Sequence, residues 1–180
     1  MRAKRVSFAL IVWTGTFMWT GFALAQTKGA PAAAAPKVYA NLAQLMRGIL
    51  YPASNVVFAA QNENPDDVKP DKDPSLAVNP LVSTYGKWTA VENAGLALAE
   101  AANLLTIAGR KCSNGISVPI NNADWVKFVQ GLRDAGAAAY KAAQSKNQDN
   151  IVMAADTMTT ACSNCHDKYR EKPNLADRCK

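Results

Sequence analysis

The chain has one histidine in 180 residues, His166. That scarcity excludes a Ser-His-Asp triad built anywhere else, a zinc site made of several histidines and a histidine cluster that switches with pH. Aromatics make up only 8% of the chain and charged residues only 19%, against 49% hydrophobic. So little charge on so apolar a chain excludes a largely disordered protein. Strand-like alternation of apolar and polar residues is missing as well. Beyond residue 25 no apolar run approaches the length of a membrane span. The net charge of +6 is small, and half of it comes from Arg2, Lys4 and Arg5 in a segment expected to be removed. The remaining excess is too mild to argue for nucleic acid as a partner. A chain of this length supports one core rather than two full domains.

What is present begins with a targeting pattern. Residues 1–25 run from a basic start through an apolar stretch, Val6 to Phe22, to Ala23-Leu24-Ala25 ahead of Gln26. Small residues at −3 and −1 after an apolar middle predict a cleaved secretory signal. Thr14, Gly15, Thr16, Thr20 and Gly21 weaken the stretch as a permanent span, though an uncleaved anchor stays open as the alternative. The expected destination is a bacterial periplasm, with no stable membrane span once the signal is gone. Disulfides and covalent cofactor attachment are both compatible with such a compartment. Residues 26–37, with Pro31, Ala32 to Ala35 and Pro36, read as a Pro/Ala-rich spacer. The folded domain is expected over 38–180.

Helical spacing dominates that domain. Val38, Leu42, Leu45 and Ile49, with Met46 and Leu50 alongside, predict a first helix that Pro52 should kink or end. Asn55 to Ala60 could add further turns. Residues 61–80 carry Pro65, Pro70, Pro74 and Pro80 among five acidic residues and two lysines, and read as a solvated surface loop. A second helix is expected from Ser83 or Thr84 to Gly109, its stripe formed by Trp88, Val91, Gly95, Leu98, Ala102 and Leu105. A third starts from Asn121 or Asn122 as N-cap, buries Trp125, Phe128, Val129, Leu132, Ala135, Ala139 and Tyr140, and ends near Lys146. Asn147 or Asp149 caps a fourth, in which Ile151, Ala154, Ala155, Met158, Ala161, Cys162, Cys165 and Tyr169 recur, and Pro173 stops it. The expected fold class is all-α: a four-helix bundle with a long Pro-rich loop between its first two helices. Abundant alanine and glycine on the inner faces let helices approach closely or leave room for something bulky.

The last helix carries the chemistry. Cys162-Ser163-Asn164-Cys165-His166 is C-x-x-C-H, the attachment pattern for c-type haem. Two thiols three residues apart share one side of a helical turn, where they can form thioethers to the two vinyl groups of a porphyrin. The adjoining imidazole then reaches the iron from the same side. Three other readings stay open on these residues. A thioredoxin-like redox pair belongs at a helix N-terminus after a strand, and neither is expected here. A structural zinc site needs a fourth ligand, from Cys112 or Cys179. A disulfide between Cys162 and Cys165 would be strained within a helix.

The string from Cys162 to Arg170, near the end of a four-helix chain, resembles the class II cytochromes c, which comprise cytochrome c′ and its low-spin relatives. The resemblance covers about Val38 to Arg170. It implies a C-terminal haem-attachment helix, one covalent haem c, Cys162 and Cys165 as thioether positions and His166 as an axial iron ligand. It also implies that the first helix faces the opposite side of the iron. Met46 there is the candidate second axial ligand, with core filler as its alternative reading. If Leu45 faces the iron instead, the site is five-coordinate. Tyr169 would pack on the His166 side. Arg170, Lys168 and Arg47 are candidates to neutralise haem propionates. Trp88, Trp125 and Phe128 either line the haem edge or fill the core. Met153 and Met158 read as core.

Cys112 and Cys179 lie outside the motif. In an oxidising compartment the economical reading is one disulfide between them, contributing about 4 kcal/mol at most; two free or intermolecular thiols are the alternative. The resulting function is that of a periplasmic electron carrier, not an enzyme, whose partners are other redox proteins. Alternatives are a five-coordinate haem protein that binds NO or CO, and an accessory haem subunit of a dehydrogenase complex. The resemblance leaves homodimerisation open.

Overall fold

The computed structural model describes residues 36–179. The expected signal (1–25) and the spacer up to residue 35 lie outside the described residues. Helix α1 covers 42–62 in three parts: an α-helical turn at Leu42–Leu45, a π turn at Met46–Leu50 and an α-helix at Tyr51–Asn62. Helix α2 is Lys87–Ala101, tightened into a 3-10 turn at Ala102–Thr106. Helix α3 is Ala123–Ser145 and α4 is Gln148–Tyr169. Among the described residues there is no strand, only one isolated antiparallel bridge between Lys111 and Ser117. The chain is all-α there.

Helix α1 starts later than its apolar spacing suggests. Asn41 accepts a hydrogen bond from the Gln44 amide, and the Gln44 side chain accepts one from the Asn41 amide. This capping box satisfies two free donors and fixes the start at Leu42, leaving Val38 in the lead-in. Pro52 does not end the helix. The chain widens just before it, with the Tyr51 amide donating to the Met46 carbonyl five residues back. Proline has no amide hydrogen and crowds the carbonyl four residues earlier, so a wider turn relieves the conflict. The widening shifts the buried stripe by one residue. It runs Leu42, Leu45, Leu50, Ala53, Val57, Ala60, while Ile49 is left exposed.

Other elements tie both ends of α1. At its start the Leu42 amide donates to the Lys111 carbonyl at 2.8 Å, and the buried Arg110 guanidinium donates to the Ala40 carbonyl. At its end the Gln148 side-chain amide donates to the Ala60 and Gln61 carbonyls at 2.8 and 3.2 Å.

Helix α2 is shorter at both ends than the expected span from 83 or 84 to Gly109. Pro80–Val82 form a separate 3-10 turn, and Gly86 is the N-cap. At the far end, Arg110 Nε donates to the Leu104 carbonyl and Trp125 Nε1 to the Leu105 carbonyl. Those side chains satisfy carbonyls that a longer helix would have used itself. The stretch expected to be only a solvated loop in fact contributes to the core. Pro65 and Val68 within it are buried, and Leu81 just beyond it is buried completely.

Helices α3 and α4 begin and end close to where their sequence signals put them. Asn122 is the N-cap of α3, and Lys146 closes it in the left-handed conformation at φ 50°. The Asn147 side chain accepts from the Asn150 amide to cap α4. Helices α2 and α3 touch backbone to backbone. A Cβ on Gly95 would lie 2.6 Å from the Tyr140 amide nitrogen, and one on Gly136 would lie 2.6 Å from that of Ala99. Only hydrogen in place of a side chain permits this approach. Of the two methionines read as core on α4, Met158 is fully buried. Met153 is 62% exposed, because it falls on the outer face.

Candidate functional site

The α4 stripe is buried at Ile151, Ala154, Ala155 and Met158, then only half-buried at Ala161, Cys162 and Cys165. Those last turns face a cavity of about 340 Å³, within the size range of small-molecule pockets. All four helices line it. Helix α1 contributes Leu42, Ala43, Met46, Arg47, Leu50, Tyr51 and Ser54; α2 and its 3-10 extension contribute Leu98 and Leu105. Helix α3 contributes Trp125, Phe128, Val129 and Leu132. Ala161, Cys162, Cys165, His166, Tyr169 and Arg170 come from α4 and its cap, and Cys179 from the tail. The lining is apolar apart from a few groups, among them Arg47 and Arg170, both exposed. Leu45 is buried but takes no part in this wall, whereas Met46 does. Trp88 is buried elsewhere, as core. Lys168 turns to Asp124 instead of the cavity, with Nζ 3.5 Å from Oδ2.

Cys162, Cys165 and His166 stand at i, i+3 and i+4 of one helix and share its inner face. Both cysteines are free. Burial pushes the Cys162 thiol up. Cys165 is pushed up to about 11, first by burial and then by Cys162 and Asp124. A redox-active C-x-x-C needs the opposite, a thiol lowered at a helix N-terminus. This pair sits in the last turns of a 22-residue helix. Burial, helped by Arg170, lowers the His166 pKa, so its imidazole is neutral near pH 7 and has a lone pair to give.

Tyr169 fixes the floor of the cavity. Its hydroxyl donates to Asp124 Oδ1 at 2.5 Å, tying the end of α4 to the start of α3. Its ring meets Trp125 edge-on at 5.1 Å and Phe128 at 6.3 Å between centroids. Burial and then the bond to Asp124 push the Tyr169 pKa up to about 12. The same bond is the largest cause of the lowered Asp124 pKa. Beyond Tyr169, the amides of Arg170 and Glu171 both donate to the His166 carbonyl, closing the helix on the residue that faces the cavity. The Arg170 guanidinium pairs with Glu171.

Cys112 and Cys179 lie at disulfide-bonding distance, with Cα atoms 4.9 Å apart. The tail runs back along the end of α4. The Cys179 amide donates to the Tyr169 carbonyl, and Asn114 donates to the carbonyls of Ala176 and Arg178. The zinc reading thereby loses its fourth ligand. Among the described residues no three His, Cys, Asp or Glu side chains converge to hold a metal ion. Nor is any described helix long and apolar enough to cross a membrane.

Sequence reasoning placed the α4 wall and Met46 at the site. It missed Leu50, Tyr51 and Ser54 of α1 and the part played by Cys179 in the wall. Pro52, six residues past Met46, was the signal for the former. No family model matches this chain, and no curated protein or solved structure matches it either.

Proposed function

We propose that this chain is an exported c-type cytochrome of the class II kind, a four-helix bundle that holds one covalent haem c and passes electrons between redox proteins of the periplasm. One observation carries the reading. The only histidine and both free cysteines lie on one wall of an apolar, half-open cavity, with the Met46 thioether on another. This donor set suits a haem better than a metal ion, since it offers one nitrogen and one thioether sulfur as axial ligands and two thiols for attachment.

Cys162 and Cys165 would hold the group through two thioethers, and the His166 nitrogen and Met46 sulfur would ligate its iron. Bound haem supplies a one-electron couple. The protein's part is to tune and protect it. The neutral His166 and Met46 add no charge, and a methionine ligand favours the reduced state. Trp125, Phe128 and Tyr169 keep water from the buried side. Arg47 and Arg170, both exposed, suit carboxylates near solvent. Electrons would enter and leave on that open side, where a partner can approach.

The test is expression in a host able to attach c-type haem, followed by acid-acetone extraction and ferric and ferrous spectra with and without carbon monoxide. Haem that stays with the protein and a low-spin spectrum indifferent to carbon monoxide are expected. Haem lost on extraction overturns the reading. A high-spin spectrum that shifts with carbon monoxide replaces electron transfer with binding of NO or CO.

A further inference from the structure

Which side chain of α1 meets the cavity depends on the π turn. Leu45 and Leu50, five residues apart, are consecutive members of the buried stripe, and the Tyr51 amide reaches back to Met46 across the widened turn. The turn therefore stores one residue more than an α-helix would. Residues 51–62 keep their places against α2 and α4. A residue added or removed before them rotates everything upstream by about 100°. Without the stored residue, each upstream side chain takes the place of the one before it. Arg47 would then occupy the position of Met46, Met46 that of Leu45, and Leu45 that of the exposed Gln44.

We infer that Pro52 is a positioning residue: by denying an amide donor at the start of the Tyr51–Asn62 helix it holds the π turn, and the π turn turns Met46 toward the cavity. Within the turn no other residue demands the widening; outside it, the ties at 40–42 also resist a shift of the upstream chain. Gly48 is exposed, and a Cβ on it would meet nothing within 4 Å. The inference rests on the proposed role of Met46 as an axial ligand, and it adds the device that selects Met46 over its neighbours Leu45 and Arg47.

The experiment uses the haem-loaded full chain. Pro52→Ala restores the missing donor and lets the helix close. It is expected to lower the ratio of methionine-ligated to unligated ferric protein roughly five- to tenfold, the worth of about one recovered backbone hydrogen bond. Removing Gly48 as well as introducing Pro52→Ala takes out the stored residue and is expected to restore ligation in a plain α-helix. A second readout does not depend on haem. A cysteine at position 45 (Leu45→Cys), read by peptide mass after thiol labelling, is expected to be protected with Pro52 present. It should label in Pro52→Ala and be protected again in the Gly48-deleted form. Unchanged ligation and labelling in Pro52→Ala overturns the inference, as does failure of the deletion to reverse the effect. Met46→Leu separates the two levels: if that change leaves the ferric spectrum intact, the axial role of Met46 has failed, and the labelling pattern alone then judges Pro52.

Discussion

Replacing Gly136 by alanine tests whether α2 and α3 are seated as closely as their backbones indicate. The new Cβ would lie 2.6 Å from the Ala99 nitrogen and 2.9 Å from the Gly95 carbonyl oxygen, where ordinary contact begins at 3.4 Å. Both obstacles are backbone, so no side chain can turn aside. The helices must part, and α2 and α3 supply six residues of the cavity wall, Leu98, Leu105, Trp125, Phe128, Val129 and Leu132. Overpacking of this kind costs about 1–3 kcal/mol. Alanine also gains about 1 kcal/mol over glycine in helix propensity, which blurs the single measurement. Gly131 on the same helix removes that ambiguity, because a Cβ there meets nothing within 4 Å. Gly131→Ala shows the propensity gain alone, and the gap between the two variants is the cost of the seam. For a chain of this size the gap corresponds to roughly 3–10 °C in Tm. Urea and thermal unfolding of the oxidised, haem-loaded protein, followed by far-UV circular dichroism, reads it directly. If both variants gain stability equally, the helices are not in backbone contact and the reasoning is wrong. Gly95 lies opposite Gly136, so Gly95→Ala together with Gly136→Ala is expected to cost less than the sum of the two, since one opening serves both.

Two further outcomes follow from the tail and from Tyr169. The Cys112–Cys179 pair closes a loop with a sequence separation of 67, so changing both to serine should lower unfolding free energy by about 4 kcal/mol in urea; a loss below about 1 kcal/mol would mean the tail is held by other contacts. Tyr169 has a folded pKa raised to about 12 against about 10 unfolded, so its stabilisation is complete below pH 10 and is lost as pH rises toward 12. The unfolding midpoint should fall across that window, and less steeply in Tyr169→Phe; identical slopes in the two proteins would remove Tyr169 from the account.

The parts of the fold legible in the sequence are those decided locally. Helices α3 and α4 each start at an asparagine N-cap, with a side-chain bond in α4 only, and carry a regular apolar stripe, and their limits follow from residues within a turn or two. The C-x-x-C-H face of α4 is local in the same way: once the helix exists, the three side chains share a wall. Helix α1 was misread at Ile49, because a period of 3.6 has no place for an extra residue, and the widening arises from Pro52 several positions on. The ends of α2 escaped for a different reason. Arg110 and Trp125 satisfy its last carbonyls from outside, and nothing within the helix announces that. Val68 was lost in a polar stretch, since a lone apolar residue has no period to reveal it. Met46 was named because the family resemblance puts the first helix on the side of the iron opposite His166. Its presence on the cavity wall, in place of Leu45, depends on the same register shift that the spacing concealed.

The ties at the two ends of α1 bear on how this segment can change over evolution. A helix normally refuses a one-residue insertion or deletion, since every side chain beyond it is swung to a new face. Here the chain is moored at 40–42 by Arg110 and Lys111, and at 60–61 by Gln148. A change of length between the moorings has to be absorbed where it occurs. The π turn is a place where such a change can be taken up, with an exposed glycine inside it. The stretch between the moorings can therefore lose or gain a residue while the cavity wall is preserved, and lineages descended from this sequence should vary in length there before they vary in α3 or α4.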